Sequence, residues 1–181
     1  MMVHRVMLPD GRYVVTIGGD FQPMTAAGQH EVAEAILGVA KAGSTPQLLV
    51  LAGLAADVED KDVHVICADA AVRANLEAND IPVSREQPEA GMIGVAGLLV
   101  SLSPIHDVPT VALVAETVGA SADVQAADRL ARWIEEAFAM PLDLDIDTTE
   151  ETARKLLASI EVSGSLEEHL GLGAESDDFY V

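Results

Sequence analysis

Three short runs of the sequence are almost entirely apolar, and they limit the folds open to the chain more than any other feature. The runs are residues 47–52, 63–68 and 110–115, each of strand length. A strand without a polar face has to be covered on both sides, which is typical of parallel sheets that carry helices on both faces. Segments with helical spacing alternate with the runs. We therefore expect an α/β fold with a mostly parallel sheet.

Local signals mark several further elements. Residues 3–8 and 12–17 have the composition of strands, and the Pro-Asp-Gly sequence at 9–11 between them is a strong turn signal, so a hairpin is expected. Apolar residues recur at helical spacing over 25–42, which predicts a helix. Asp69 is expected to cap another helix that runs to about residue 79.

The second half of the chain contains two predicted amphipathic helices. Ser121 is expected to cap the first, and its predicted buried stripe is Ala127, Leu130, Ala131, Ile134 and Phe138. Thr148 and Glu151 form a capping box for the second. Its apolar face is Ala153, Leu156, Leu157 and Ile160. We expect one domain over residues 1–162 and an acidic, mostly flexible tail over 163–181.

Composition narrows the classes of function. Half of the 181 residues are hydrophobic, enough for a folded domain despite a formal net charge of -20. Thirty acidic residues against ten basic ones repel phosphate backbones and anionic lipid, so neither nucleic acid nor membrane is an expected partner. Such a surface is typical of a salt-rich cytoplasm. No signal peptide or membrane-spanning run is recognised, and a cytoplasmic protein is expected.

The C-terminus places scarce aromatic residues where they have no core to join. Aromatic residues make up 3% of the chain, yet Phe179 and Tyr180 are adjacent and only Val181 follows them. Rings at an open chain end are typical of a ligand for another protein, although a frayed tail that packs on its own oligomer is the alternative. A hydrophobic residue, tyrosine, any residue and a free carboxylate resemble the HbYX tail by which activators, regulatory ATPases and some assembly chaperones dock on the proteasome core particle.

A second resemblance involves the middle of the chain. The residues that carry it are Gly94, Gly97, Glu116, Thr117, Gly119 and Asp123. Their order and spacing resemble the proteasome assembly chaperone family, in particular its archaeal members. The resemblance implies a three-layer α/β/α sandwich similar to nucleoside phosphorylases, homo-oligomers, no enzymatic activity and no cofactor. Family members usually begin with another strand and helix before the segment that matches residues 3–17, so this chain starts late.

With its tail, the chain resembles the archaeal B-type chaperone, which docks on the α-ring of the proteasome. The family mode implies that the Val181 carboxylate pairs with a lysine, that Tyr180 fills a slot and that Phe179 buries its ring. We therefore predict a chaperone that binds the core-particle α subunits and assists assembly. An activator that opens the gate without ATP is a variant that the sequence does not separate.

Other candidate sites receive weaker support. A small-molecule enzyme of the nucleoside phosphorylase or hydrolase kind, using His106, Asp107 and Glu116 at the edge of the sheet, is the alternative function. Gly91, together with Gly94 and Gly97, indicates close helix packing rather than a dinucleotide loop.

No metal site is predicted. The alternating carboxylates Asp143, Asp145 and Asp147 lack the glycine and the final glutamate of a calcium loop. A second acidic cluster, better explained as a solvated loop than as a metal site, comprises Asp57, Glu59, Asp60, Asp62 and His64. Cys67 is expected to be a buried small hydrophobe and not a nucleophile.

Overall fold

The computed structural model describes residues 1–19, 22–56, 62–84, 91–117 and 123–144. The elements in these ranges are β1 (Met2–Met7), β2 (Tyr13–Gly18), α1 (Ala26–Ala42), β3 (Leu48–Ala55), β4 (Val63–Cys67), α2 (Ala70–Ala78), α3 (Gly94–Leu102), β5 (Thr110–Thr117) and α4 (Val124–Ala137). The predicted last helix and the tail lie outside the described residues. None of the described helices is long and apolar enough to cross a membrane.

Strands β1 and β2 form the predicted hairpin. They pair antiparallel, and the backbone N–H of Leu8 donates to the carbonyl of Arg12 across the turn. Gly11 takes a φ of +86°, which favours glycine at this position. The Arg12 guanidinium donates to the carbonyls of Phe138 and Ala139 and so links the turn to the end of α4. Exposed large hydrophobic residues of this segment are Met1, Met2, Val3, Val6, Met7, Tyr13 and Val15.

The central sheet is mixed, which corrects the expectation of a mostly parallel sheet. Its strand order is β3-β5-β4, with β3 parallel to β5 and β4 antiparallel to β5. Residues 56–62 connect β3 to β4. This connection is too short for the helical crossover that parallel strands need, so β4 returns in the opposite direction.

Helices cover both faces of this sheet. One face packs against α1 and α3. The buried residues of this cluster are Ala33, Ile36, Leu37, Ala40, Val50, Leu99, Val108, Ala112 and Val114. The other face packs against α2 and α4. The buried residues of this second cluster are Val65, Val72, Leu76, Val111, Leu113, Ala115, Ala126, Leu130 and Ile134. Strand β5 contributes to both clusters and is buried at every position over 110–115. The apolar composition of this strand is therefore explained by burial from two sides.

Side-chain caps begin three of the described helices. Thr25 accepts a hydrogen bond from the backbone N–H of Gly28, and Asp69 accepts one from Val72, as the sequence predicts for α2. Asp123, rather than the predicted Ser121, is the cap of α4.

Of the predicted stripe of α4, Leu130 and Ile134 are buried, Ala131 and Phe138 are only half-buried, and Ala127 is not part of the stripe. The stripe is Ala126, Leu130 and Ile134, which lie four residues apart and so share one face. Ala127 follows Ala126 by one residue, a rotation of about 100° around the helix, and is exposed.

Leu37 offers a direct test of this core. Its side chain is 0% exposed, whereas Val39 on the same helix is 51% exposed. We expect Leu37→Ala to lower the free energy of unfolding by about 3 kcal/mol, because it leaves a cavity between α1 and the sheet. The matched control Val39→Ala should change it by less than about 0.5 kcal/mol. Urea unfolding followed by circular dichroism measures both, and equal effects would contradict the packing.

Candidate functional site

Glu116 organises the edge of the sheet at which β5 ends. Its carboxylate lies 3.0 Å from Nε2 of His64 on β4 and accepts a hydrogen bond of 3.0 Å from the backbone N–H of Asp62. The backbone N–H of Glu116 in turn donates to the carbonyl of Asp62. The His64 and Glu116 side chains are mostly buried. Glu116 therefore fixes the start of β4 against the end of β5.

The same contacts determine the charge state of Glu116. The hydrogen bond from the backbone of Asp62, followed by that from the His64 ring, lowers the pKa of the Glu116 carboxyl below its usual value, and the charge of Arg129 acts in the same direction. The carboxylate is the form that these donors stabilise. Glu116 is thus a poor general acid at neutral pH, since that role needs a raised pKa.

Arg129 connects this edge to helix α4. Its Nη2 donates to the backbone carbonyl of Glu116, and the side chain is partly buried. Its Nε atom is buried without a hydrogen-bond partner among the described residues. The guanidinium thus holds the amino-terminal half of α4 close to the end of β5.

Two further residues of the family motif, Thr117 and Asp123, have structural positions at the same edge. Asp123 begins α4 by accepting a hydrogen bond of 2.9 Å from the backbone N–H of Ala126. A Cβ atom on Gly53 of β3 would lie 3.0 Å from the Thr117 methyl group, so the two strands approach closely at that point. Gly119 lies outside the described residues.

The glycines of the segment before β5 do not act as predicted. Gly91 precedes α3 instead of sharing its face. Gly94 begins the helix with a φ of +69°, and a Cβ atom there would lie 2.7 Å from the side-chain oxygen of Gln22. A Cβ atom on Gly97 would lie 2.4 Å from the carbonyl of Met92. The backbone that approaches Gly97 therefore belongs to the turn into α3 and not to a second helix.

The alternative enzymatic site is not assembled in the described structure. His106 lies 3.1 Å from a Glu34 carboxylate oxygen of α1, and Lys41 pairs with Asp107 at 3.4 Å. His106 and Asp107 both precede β5, whereas Glu116 lies near the C-terminal end of this strand. Six strand residues separate these positions by about 20 Å. The prediction that they meet at one edge is therefore wrong.

The described residues also offer little support for a metal site or a reactive thiol. Within the ranges that the structure describes, no group of three or more His, Cys, Asp or Glu side chains has the geometry of a metal site. Five residues of the two acidic clusters considered in the sequence lie outside those ranges: Asp57, Glu59, Asp60, Asp145 and Asp147. Cys67 is half-buried rather than fully buried, and this partial burial raises the pKa of its thiol, which reduces its nucleophilicity at neutral pH. The docking residues Phe179, Tyr180 and Val181 are likewise outside the described residues.

Comparison with known proteins places this mixed α/β fold in a family. The PAC2 family model matches residues 3–162, and the chain belongs to the PAC2 family. The resemblance to proteasome assembly chaperones is thereby confirmed at the level of the family. No curated protein matches the sequence.

Several solved structures share the fold. PbaA of Pyrococcus furiosus, an archaeal homolog of proteasome-assembly chaperone, has a TM-score of 0.67 at 16% identity and covers 92% of this chain and 76% of its own. PbaB of the same organism, an archaeal proteasome activator, has a TM-score of 0.70 at 19% identity over 90% of this chain and 70% of its own. A proteasome-assembly chaperone homologue of Mycobacterium tuberculosis has a TM-score of 0.62 at 19% identity, and the match covers 88% of this chain and 66% of the homologue. At these identities the likeness concerns the fold.

The lowered pKa of Glu116 predicts how its contribution to stability depends on pH. A carboxyl whose pKa is lower in the folded state stabilises the fold at pH values above its unfolded pKa, about 4.3 for glutamate, and loses this effect as the pH falls through the folded pKa. We expect Glu116→Gln to lower the free energy of unfolding by about 1–2 kcal/mol at pH 7.

Urea unfolding of the wild type and the variant between pH 7 and pH 3 measures this difference, which should shrink below about pH 4.3. Asp143→Asn, which changes an exposed acidic residue near the end of the described chain, is the control. A difference between wild type and Glu116→Gln that is constant over this range would contradict the role assigned to the Glu116 charge.

Proposed function

We propose that the chain is a proteasome assembly chaperone that binds the core-particle α-ring through its last three residues and assists assembly. The observation that carries the proposal is the Phe179-Tyr180-Val181 sequence at the end of a chain that belongs to the PAC2 family. The similar structures of PbaA and PbaB, described as a chaperone homolog and an activator, support a role at the proteasome. Within the part of the chain that the structure describes, the residues of the enzymatic alternative are not brought together.

Each of the three residues has a distinct task in this docking mode. The carboxylate of Val181 pairs with a lysine in a pocket between two α subunits, Tyr180 fills a slot and donates a hydrogen bond, and Phe179 buries its ring. Terminal carboxylate capture with aromatic anchors is a recurring mode of recognition. Residues 173–181 can extend about 30 Å, far enough to reach a neighbouring ring surface.

High salt is compatible with this mode of binding. The net charge of -20 disfavours long-range attraction to acidic partners. In 1 M salt the Debye length falls to about 3 Å, so binding rests on apolar contacts and on ion pairs that are shielded from water. The aromatic anchors supply the apolar contacts, and the terminal carboxylate supplies the ion pair.

The hairpin supports a second part of the proposal, that the chain forms homo-oligomers. An isolated two-stranded hairpin is at best marginally stable in water, and all six residues of β1 are exposed here. Arg12 is paired with Asp10, so Arg5 leaves the segment with one net positive charge within an acidic chain, which suits it to the surface of another copy. Several copies would present several tails to a ring of repeated pockets, so weak single contacts add up.

Residues 1–162 are proposed to form a three-layer α/β/α sandwich of the nucleoside phosphorylase kind. Helices on both faces of the central sheet support this arrangement. The tail, residues 163–181, follows the region that the family model matches.

Removing the docking residues tests the central part of the proposal. Deletion of Phe179, Tyr180 and Val181, or the single change Tyr180→Ala, should abolish co-elution with α-rings in molar salt, because the anchors are lost. The matched control Asp178→Asn keeps the anchors and the chain length and should bind like the wild type. Binding that survives the deletion would contradict the docking mode.

The same samples test the activator variant of the function. A tail that occupies the pocket and opens the gate should raise hydrolysis of a short fluorogenic peptide by the assembled core particle without ATP. An unchanged rate together with intact binding would leave the chaperone role alone.

The oligomer proposal has its own test. Val3 on β1 is 52% exposed and Val39 on α1 is 51% exposed, so the two positions are matched in the isolated chain. We expect Val3→Glu to reduce the mass of the particle measured by light scattering, since it places a charge in the interface, and Val39→Glu to leave it unchanged. A wild-type mass of 19.0 kDa, that of one chain, or a Val3→Glu oligomer of unchanged mass would contradict self-association through the hairpin.

A further inference from the structure

The outer edge of strand β1 lacks the features that keep sheet edges from pairing with other strands. All six residues of β1 are exposed, and the register with β2 runs from Met2 to Met7 without a bulge. The strand contains no proline, no lysine and no acidic residue. The guanidinium of Arg5 lies 3.9 Å from the centre of the Tyr13 ring, so its charge lies over the face of the hairpin. An edge of this composition is a template for another strand.

The hairpin turn identifies the backbone groups at this edge. The N–H of Leu8 donates to the carbonyl of Arg12, and hydrogen-bonded and non-hydrogen-bonded pairs alternate along antiparallel strands. The N–H and carbonyl groups of Val3, Arg5 and Met7 therefore point away from β2. Within the described ranges no other strand pairs with β1 on this side.

Strand β4 shows how the chain closes a sheet edge elsewhere. The backbone N–H of Val65 donates to the Ser84 hydroxyl at 2.7 Å, and the backbone N–H of Ser84 donates to the Val65 carbonyl. A neighbouring segment of the same chain thus occupies backbone groups of β4 that point away from β5. Strand β1 has no such cover among the described residues.

Charge favours a second copy of the chain at this edge. Residues 1–19 contain one of the thirty acidic residues, Asp10, and it pairs with Arg12 at 2.6 Å. Two copies with a net charge of -20 each repel one another, and they repel least where acidic residues are missing. The hairpin is therefore the part of the described surface at which two copies can approach at the lowest electrostatic cost.

We propose that β1 of one copy pairs antiparallel with β1 of a second copy. This inference rests on the self-association part of the proposed function and gives that association a geometry. The product is a continuous sheet with the strand order β2-β1-β1-β2. A lone hairpin is marginally stable, whereas three or more strands with an apolar face can be stable on their own. The two copies are related by a two-fold axis, the commonest symmetry of homo-oligomers.

The two-fold axis restricts the register. Antiparallel strands that are related by such an axis place one residue opposite its own copy, and near the middle of β1 this residue is His4 or Arg5. Two Arg5 side chains opposite each other would bring like charges together, which destabilises strand pairing. The register centred on His4 instead places Met2 opposite Val6 of the second copy. Val3 and Arg5 of the second copy then exchange backbone hydrogen bonds.

Disulfide formation between copies tests this pairing on the full-length chain. Cys67→Ala removes the native thiol, and His4→Cys then brings two new thiols together at the axis. Opposed residues in a non-hydrogen-bonded pair have Cα atoms about 4.5 Å apart, which is within the range that disulfides span. We expect mild oxidation to convert most of this variant into a covalent dimer, which non-reducing electrophoresis detects.

Two control variants in the same background carry the thiol at neighbouring positions. Thr16 is the partner of His4 on β2 and is also exposed, but three strand spacings, about 14 Å, separate it from its copy. Arg5 is one residue further along β1, which places its Cα about 8 Å from that of its copy. We expect Thr16→Cys and Arg5→Cys to form covalent dimer at least about 10-fold more slowly than His4→Cys, because disulfides do not span these distances.

The other outcomes overturn the inference. An oligomer in which Arg5→Cys cross-links as fast as His4→Cys has a different register, and fast cross-linking of Thr16→Cys would place β2 at the contact. An oligomer in which none of the three variants cross-links associates through another surface, so the edge pairing is wrong and self-association remains. A wild-type mass of 19.0 kDa would contradict self-association itself.

Discussion

The burial of β5 on both of its faces is the constraint on which the rest of the structure depends. Six consecutive residues of this strand are buried, and removing them from water requires neighbouring strands at both edges and helices on both faces. Helices α1 and α3 supply one layer, and α2 and α4 supply the other. The end of the strand then fixes Glu116, and through it the start of β4 and the position of α4.

Features that depend on neighbouring residues could be predicted from the sequence. The Pro-Asp-Gly turn indicates the hairpin, and Asp69 is identified as a cap, because each signal acts over a few residues. The expectation of a mostly parallel sheet is wrong for β4, because an apolar composition indicates burial and not strand direction, and the short connection at 56–62 favours a reversal. Ser121 and Asp123 are both residue types that cap helices, and the hydrogen bond from the backbone N–H of Ala126 identifies Asp123 as the cap of α4.

The candidate site was harder to predict, because its contacts join distant parts of the chain. His64 and Glu116 are 52 positions apart, and nothing local to either residue indicates that they pair. Glu116 and His106 are near in sequence, yet an extended strand separates them by about 20 Å. The motif residues Glu116, Thr117 and Asp123 thus have structural positions at the edge of the sheet, and the proposed binding function rests on the chain's end.

We propose that the last residues of this PAC2 family chain act as a separable ligand for the proteasome α-ring. Competition measures this most directly: a synthetic peptide of residues 173–181 is added to the preformed complex of the full chain with α-rings in molar salt. Excess peptide is expected to displace the full chain in a dose-dependent manner, and the same peptide with Tyr180→Ala is expected not to. A complex that neither peptide dissociates would contradict it.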